Sequence, residues 1–296
     1  MARTHTGSIP IGIRCNIPHW GNDIDVAVRF ASENDFEVLD PNGSVEPAQV
    51  QRVLDAGLAI GSIDLKQPWS ELLSTDAGRR RAAADDNAQY IEQMAKLGVR
   101  NFFVVMFPDD PSTPRAENLR LAADGYGRLC DAIAASDARI VLEGWPGSAP
   151  HYNAFACTPE SCRAVFDAVG STVLGINFDP SHLIRMGIDP VRFLDEFSPR
   201  VYHAHGKDTE LLEDDLYDFG NLQAATAAEP RAFAGHHWRY CMPGHGVARW
   251  GRLLSMLSDA GYDGALCIEH EDANFIGSPE NYHRGLLAAR DFLKHV

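Results

Sequence analysis

The distribution of apolar residues along the chain predicts a regular alternation of strands and helices. Eight short runs rich in β-branched and aromatic residues are each followed by a segment with apolar residues three and four positions apart. The eight predicted strands are 9–17, 36–40, 58–65, 101–107, 139–145, 173–179, 201–205 and 265–270. The eight predicted helices are 23–34, 47–56, 77–97, 116–135, 159–169, 190–197, 250–260 and 279–294.

Capping residues support these helices. Thr158 and Ser278 each precede a proline, which is the typical arrangement of an N-cap and a first helical residue. Eight strand–helix units in one chain favour an α/β fold, a single closed (β/α)8 TIM barrel. The alternative is an open doubly wound sheet, but the first strand of that fold usually leads into a glycine-rich phosphate loop. Here residues 15–20 read CNIPHW.

The chain is predicted to form one domain over residues 1–296, because no linker or change of composition divides it. Its length beyond a minimal barrel of roughly 250 residues lies chiefly in an irregular insertion loop, 206–249, after strand seven. Loops that follow barrel strands lie on the catalytic face, so we expect this loop to be functional. The alternatives are a subunit contact and a solvated surface excursion.

Charge and composition narrow the function. The chain has 26 Lys and Arg against 41 Asp and Glu, a net charge of −15 that disfavours nucleic acid or an anionic membrane as partner. No apolar run reaches the ~20 residues of a membrane span, and the N-terminus lacks the pattern of a secretory signal. None of the six cysteines forms a CxxC pair, so we expect reduced thiols and a cytoplasmic location.

Four consecutive predicted strands end in potential metal ligands, namely Glu143, Asp179, His205 and Glu269. In strands five, six and eight the neighbouring positions, which point to the opposite face, carry large aliphatic or aromatic residues. That apolar face should meet the helices. Because the carboxyl ends of the strands of a parallel barrel share one rim, we expect the four side chains to converge there.

Three carboxylates and one imidazole would form an oxygen-rich site that favours Mn²⁺ or Mg²⁺, with Co²⁺ as a substitute. Open positions on the ion would accept two substrate oxygens, and the cation would polarise a carbonyl. Each of these residues taken alone is also explained by a helix cap or an ion pair.

Several short motifs carry a resemblance to a known family. They are Asp179-Pro180-Ser181-His182, His203-Ala204-His205-Gly206-Lys207-Asp208, Gly261-Tyr262-Asp263-Gly264 and Ile268-Glu269-His270-Glu271. With them the chain resembles, from first strand to last helix, the xylose isomerase-like barrel superfamily of sugar phosphate isomerases and epimerases. The stretch 243–246 resembles the GxG turn of that family, but His245 stands where the family often has Glu, which leaves its role open.

The resemblance implies that Glu143, Asp179, His205 and Glu269 bind the metal ion. It also implies that Glu143 and Glu269 exchange protons with a substrate carbon, and that His182 contacts substrate oxygens. These roles agree with the chemistry of a carboxylate beside a metal-bound hydroxyketone.

Other residues are candidates for substrate binding. Lys207 could hold a substrate oxyanion or a carboxylate ligand, with a rim salt bridge as the alternative. His245 and His270 could act near the substrate or be structural, and His203 is predicted to be a hydrogen-bonded core histidine. Three tryptophans could stack on a sugar or simply pack, namely Trp20, Trp145 and Trp238.

The leading functional prediction is a metal-dependent isomerase or epimerase acting on a keto sugar or related polyol. The second is a lyase on an oxidised sugar, either a dehydratase or the catalytic subunit of a C-glycoside deglycosidase acting on 3-oxo-glycosides. We expect a homo-oligomer, or in the deglycosidase case a small partner subunit. A metal-dependent nuclease would need a basic groove, and a non-catalytic sugar-binding barrel would be expected to lack Glu143 or Glu269.

Overall fold

A computed structural model describes residues 1–21, 23–147, 154–221 and 228–296. Its described residues form a nearly closed barrel of parallel strands surrounded by helices, which confirms the predicted (β/α)8 fold. The barrel strands are β1 (Ile11–Arg14), β2 (Val38–Asp40), β3 (Ala59–Ile60), β4 (Ile63–Asp64), β5 (Asn101–Val104), β6 (Arg139–Glu143), β7 (Leu174–Phe178), β8 (Val201–Gly206) and β11 (Leu266–Ile268).

The third predicted strand is split into two parts. β3 pairs with β2, and β4 pairs with β5, with Gly61 and Ser62 between the two halves. The amide of Ser62 donates to the Asp40 carboxylate at 2.7 Å. Since β1 pairs with β11 and β11 with β8, each of the eight predicted strands occupies its expected place around the barrel.

All eight predicted helices are present, with bounds within two residues of those expected. The described helices are α1 (Ile24–Glu33), α2 (Pro47–Asp55), α3 (Ala77–Ala95), α4 (Arg115–Ile133), α5 (Pro159–Val169), α6 (Pro180–Arg185), α7 (Pro190–Phe197), α8 (Glu213–Phe219), α9 (Trp250–Asp259) and α10 (Pro279–Leu293). Thr158 and Ser278 cap α5 and α10 as predicted. The short helices α6 and α8 were not predicted. No helix in the described ranges is long and apolar enough to cross a membrane.

The insertion after β8 is more ordered than predicted. Its described part contains an antiparallel hairpin of β9 (Asp208–Leu211) and β10 (Trp238–Cys241), together with α8, so the expectation of an irregular loop is wrong there. The run of apolar and aromatic residues in β10 buries Trp238, Tyr240 and Cys241. Residues 222–227 of the predicted loop lie outside the described residues.

One carboxylate fastens this hairpin to the barrel. Asp208 accepts hydrogen bonds from the amides of Gly244 at 3.2 Å and Ala248 at 2.9 Å, and from the Trp250 indole at 2.9 Å. The Thr209 hydroxyl donates to the carbonyl of Ser181 in α6 at 2.9 Å. β9 is therefore tied both to the turn before α9 and to the short helix beside the candidate site.

The face of the sheet that meets the helices is the one that the strand pattern predicted. Buried aliphatic residues of the strands, such as Leu142 and Ile176, belong to one core cluster with helix residues such as Leu129 and Val165. Residues of the opposite strand face, including Phe103 and Val141, form a separate buried cluster. This separation leaves the polar strand ends on the inside of the barrel mouth.

We expect two glycines of α4 to respond oppositely to replacement by alanine. A Cβ at Gly125 would overlap the carbonyl oxygen of Leu72, whereas a Cβ at Gly127 would meet open space. Gly125→Ala should therefore lower the free energy of unfolding by about 1–3 kcal/mol through overpacking. Gly127→Ala should raise it by about 0.5–1 kcal/mol through helix propensity. Urea unfolding of both variants measures the two values, and equal shifts would contradict this packing of α4.

Candidate metal centre and active site

Three of the four predicted ligands meet at the mouth of the barrel. Glu143 is the last residue of β6, Asp179 follows β7, and Glu269 follows β11. Their carboxylate oxygens and a ring nitrogen of His182 all lie within 4.8 Å of one another. The four residues are 1–9% exposed. Distant parts of the chain are thus brought into one buried cluster, here called the carboxylate site.

The fourth predicted ligand, His205, lies against one side of the carboxylate site. Its Nδ1 is 2.8 Å from Glu143 Oε1 and 3.6 Å from Glu269 Oε2. The set of atoms within 4.8 Å contains His182 in place of His205. The Nε2 of His182 is 3.3 Å from Glu143 Oε2 and 3.4 Å from Asp179 Oδ2. Coordination by His205 therefore stays a prediction, and two histidines border the same carboxylates.

The carboxylate site fits a divalent cation. Its donors are mostly carboxylate oxygens, the ligands that Mg²⁺ and Mn²⁺ prefer. The buried Asp179 Oδ2 forms no hydrogen bond with a described residue, although Lys207 Nζ lies 3.3 Å away as an ion-pair partner, so this oxygen has lone pairs to offer an ion. Ligand atoms about 2.1 Å from a six-coordinate ion lie roughly 3 to 4 Å apart, and the candidate ligand atoms of the carboxylate site all lie within 4.8 Å of one another. Glu143, Asp179 and Glu269 could hold the ion, with His205 or His182 beside them.

Lys207 supplies positive charge within the carboxylate site. Its buried Nζ lies 2.5 Å from Glu269 Oε2, 2.9 Å from Glu271 Oε2 and 3.3 Å from Asp179 Oδ2. Burial alone would lower the pKa of this ammonium, but the neighbouring carboxylates raise it well above its usual value. Lys207 therefore stays charged. Lys207 thus forms ion pairs with the candidate ligands Asp179 and Glu269. Its contact with a substrate oxygen stays a prediction.

The same environment keeps Glu143 and Glu269 ionised. Burial would raise the pKa of Glu143, but His205 and His182 lower it well below the usual value. Burial would likewise raise the pKa of Glu269, yet Lys207 and His205 lower it to about 2 against the repulsion of Glu143. An ionised carboxylate is the form that both metal coordination and proton abstraction require.

Two residues that lie against the candidate ligands were missed by the sequence analysis. The buried Asn177 donates from Nδ2 to Glu143 Oε1 at 2.8 Å, and the same atom lies 3.1 Å from His205 Nδ1. Asp40 Oδ2 lies 3.5 Å from His205 Nε2. The signal for both was available, because Asn177 shares the strand face of Asp179 and Asp40 ends a strand as Glu143 does.

His203 is a buried, hydrogen-bonded core histidine, as predicted. Its Nε2 lies 2.7 Å from Asp40 Oδ2, and the donor atoms of Asp40, His203 and Cys267 lie within 4.8 Å of one another. Because Asp40 already accepts hydrogen bonds from His203 and from the amide of Ser62, its carboxylate acts here as an anchor for the histidines of β8.

The remaining candidates lie outside the carboxylate site. Trp145 is half-buried and packs edge-on against Phe107, and Trp20 is buried with its indole nitrogen 3.4 Å from His283 Nε2. The side chain of His245 is 44% exposed and lies 4.0 Å from Asp272. Burial lowers the pKa of His270 to about 4, which favours a neutral structural histidine. Substrate contacts of Trp145 and His245 stay predictions.

Sequence comparison with known proteins assigns the chain to a family. A sequence model of the xylose isomerase-like TIM barrel family matches residues 29–295. YfiH of Bacillus subtilis, an uncharacterised protein, is 34% identical over 124 residues, which are 41% of this chain and 38% of YfiH. An inosose dehydratase of Bacillus thuringiensis is 26% identical over 137 residues, which are 46% of this chain and 43% of that enzyme. The matched segments thus span about two-fifths of each of these relatives.

Solved structures agree on the fold. D-psicose 3-epimerase of Clostridium cellulolyticum has a TM-score of 0.68 at 13% identity, covering 96% of this chain and 98% of its own. The 3-keto-D-glucoside 4-epimerase of E. coli has a TM-score of 0.68 at 15% identity, covering 96% and 99%. Because the family model matches nearly the whole chain and the barrel is the expected one, this protein belongs to the xylose isomerase-like TIM barrel family.

Proposed function

We propose that this protein is a divalent-metal-dependent isomerase or epimerase that removes a proton beside the carbonyl of a keto sugar or related polyol. One observation carries the proposal: three carboxylates and two histidines share a buried site with a lysine ammonium. A cation held by Glu143, Asp179, His205 and Glu269 would supply Lewis acidity that makes the C–H bond beside the carbonyl more acidic. The donor set favours Mn²⁺, with Mg²⁺ or Co²⁺ as alternatives.

The protein's own residues carry the proton transfers in this proposal. Glu143 or Glu269, as the carboxylate, removes the proton from the substrate carbon. The other group first takes up a proton from solvent and delivers it to the opposite face, which inverts the centre, and the proton held by the first base then returns to solvent. His182 and Lys207 hold the substrate oxygens, where an N–H donor and a positive charge offset the negative charge that develops. Trp145 and His245 are proposed to contact the rest of the sugar.

A lyase is the second candidate, because relatives that match this chain are named inosose dehydratases. The first step would be the same proton abstraction, followed by departure of a group from the neighbouring carbon. The leaving group would be water in a dehydratase, or an aglycone in a C-glycoside deglycosidase. The isomerase is proposed to be a homo-oligomer, and a deglycosidase would pair with a small partner subunit.

Replacing Asp179 should weaken metal binding without loss of the helix that it caps. Asp179 and Asp189 both cap a helix that begins with proline, and each accepts a hydrogen bond from the amide two residues on. Asn keeps the cap and removes the charge in both variants. Asp179→Asn should lower the Mn²⁺ affinity about 100-fold or more, since loss of an outer-shell partner alone costs 10–100-fold. Calorimetric titration of EDTA-treated protein measures this affinity, and an equal loss in Asp189→Asn would contradict the assignment.

Replacing either proposed base should abolish turnover. Glu143→Gln and Glu269→Gln keep the side-chain size and remove the carboxylate, so turnover at saturating metal should fall by about 10²–10⁴-fold or more. Glu160→Gln in the exposed first turn of α5 is the matched control and should keep full activity. Full activity in both site variants would refute the site assignment.

The fate of the substrate separates the two candidate reactions. A panel of ketoses and 3-oxo-glycosides incubated in D₂O with Mn²⁺ should yield product with deuterium at a retained carbinol carbon if the protein is an isomerase or epimerase. Release of water or of an aglycone would identify a lyase instead. Because Mn²⁺ broadens resonances, the NMR spectra are recorded after chelation and removal of the metal. Turnover unaffected by EDTA would contradict the metal dependence.

A further inference from the structure

A chain of three buried side chains ends on His182, and nothing in the proposed function uses its first two members. Arg185 is the last residue of α6, and Tyr240 belongs to β10 in the hairpin after β8. The Nη1 atom of Arg185 lies 2.7 Å from the hydroxyl oxygen of Tyr240, and this oxygen lies 2.6 Å from His182 Nδ1. Each of these residues is at most 4% exposed.

The direction of these hydrogen bonds follows from the chemistry of the groups. A guanidinium can only donate, so the Tyr240 oxygen accepts from Arg185. The Tyr240 hydroxyl can donate one hydrogen bond, and in the described part of the chain the acceptor within hydrogen-bond distance is His182 Nδ1. If Nδ1 carried the ring proton, the hydroxyl proton would be buried without a partner, which is costly. Nδ1 therefore accepts, and the proton of a neutral ring lies on Nε2.

We propose that Arg185 and Tyr240 are positioning residues that hold His182 in its Nε2-protonated form, so that it presents a hydrogen-bond donor to the carboxylate site. In this form His182 has no lone pair to offer a metal ion at Nε2. His182 Nε2 lies 3.3 Å from Glu143 Oε2 and 3.4 Å from Asp179 Oδ2, and these electron-rich oxygens favour a proton on Nε2 over a lone pair, although neither contact has the geometry of a hydrogen bond. Its N–H remains available for a substrate oxygen, a part of the inference that rests on the proposed function.

The surroundings hold this chain of hydrogen bonds in place. The Arg185 guanidinium also donates to the carbonyl of Gly147 at 2.6 Å and lies 4.3 Å from the centre of the Trp238 ring. Lys207 Nζ lies 4.6 Å from the centre of the Tyr240 ring. The hairpin thus brings a tyrosine and a tryptophan from β10 onto two cationic residues, which fixes the Tyr240 hydroxyl relative to α6.

The tautomer of His182 can be read directly by two-bond ¹H–¹⁵N correlation spectra of protein labelled with ¹⁵N-histidine. The His182→Gln variant assigns the signal among the twelve histidines. In the wild type we expect a proton on Nε2 and none on Nδ1, both before and after addition of Mg²⁺, a diamagnetic probe. A proton on Nδ1, protons on both nitrogens, or loss of the Nε2 proton on Mg²⁺ binding would overturn the proposal.

Tyr240→Phe removes the hydroxyl and keeps the ring that packs on Lys207. We expect the His182 signal to lose its Nε2-protonated pattern while Mg²⁺ affinity is unchanged. The kcat on the substrate found in the D₂O screen should fall about 10-fold, the loss expected for one hydrogen bond to a buried group. Tyr262→Phe is the matched control, because its hydroxyl donates to the Ala265 carbonyl at 2.6 Å, away from His182. It should leave both tautomer and kcat unchanged.

An unchanged tautomer in Tyr240→Phe would overturn the role of Tyr240. If this variant does not fold, the wild-type spectra still decide whether His182 donates from Nε2. The spectra need no substrate, so failure of the proposed isomerase or lyase activity leaves this test intact. Conversely, His182 bound to the metal through Nε2 would refute the proposed role of Arg185 and Tyr240 without contradicting metal-dependent sugar chemistry.

Discussion

The carboxylates of Glu143, Asp179 and Glu269 lie buried within 4.8 Å of one another at the mouth of the barrel. Like charges at this spacing repel strongly where water is scarce, so the site is stable only if positive charge lies among them. The ammonium of Lys207 provides part of it, from a position between Asp179, Glu269 and Glu271. A bound cation would provide the rest. The rigid barrel holds the carboxylates together despite their repulsion.

Two histidines contact these carboxylates, and their other partners distinguish them. His205 is flanked by Asn177 on one side and by Asp40 on the other. A carboxylate behind an imidazole is the arrangement that orients a metal-ligating histidine. His182 instead has a hydroxyl behind its ring, itself held by a guanidinium. The groups behind each imidazole ring therefore suit His205 and His182 to different roles.

The insertion after β8 is part of the site rather than an addition to it. Lys207 stands directly before β9, and Tyr240 returns on β10 to reach His182. Asp208 binds the turn before α9 through several hydrogen bonds, which fixes the start of the hairpin. A chain without this hairpin would retain the carboxylates of the strand ends but would lose the hydroxyl that faces His182.

Much of this protein follows from local rules that a sequence alone displays. The barrel can be predicted from the spacing of apolar residues, from the prolines that follow Thr158 and Ser278, and from the eight strand–helix repeats. This is possible because each strand–helix unit is specified by residues that are close in sequence. Alternation along the strands predicts that Glu143, Asp179 and Glu269 point into one rim, since parallel strands of a closed barrel end together.

Only the tertiary structure decides which groups lie behind the rings of the two histidines. Tyr240 is 58 positions from His182, and Asp40 is 163 positions from His203. No local pattern links residues so far apart, and only the closed barrel and the folded hairpin bring their atoms into contact.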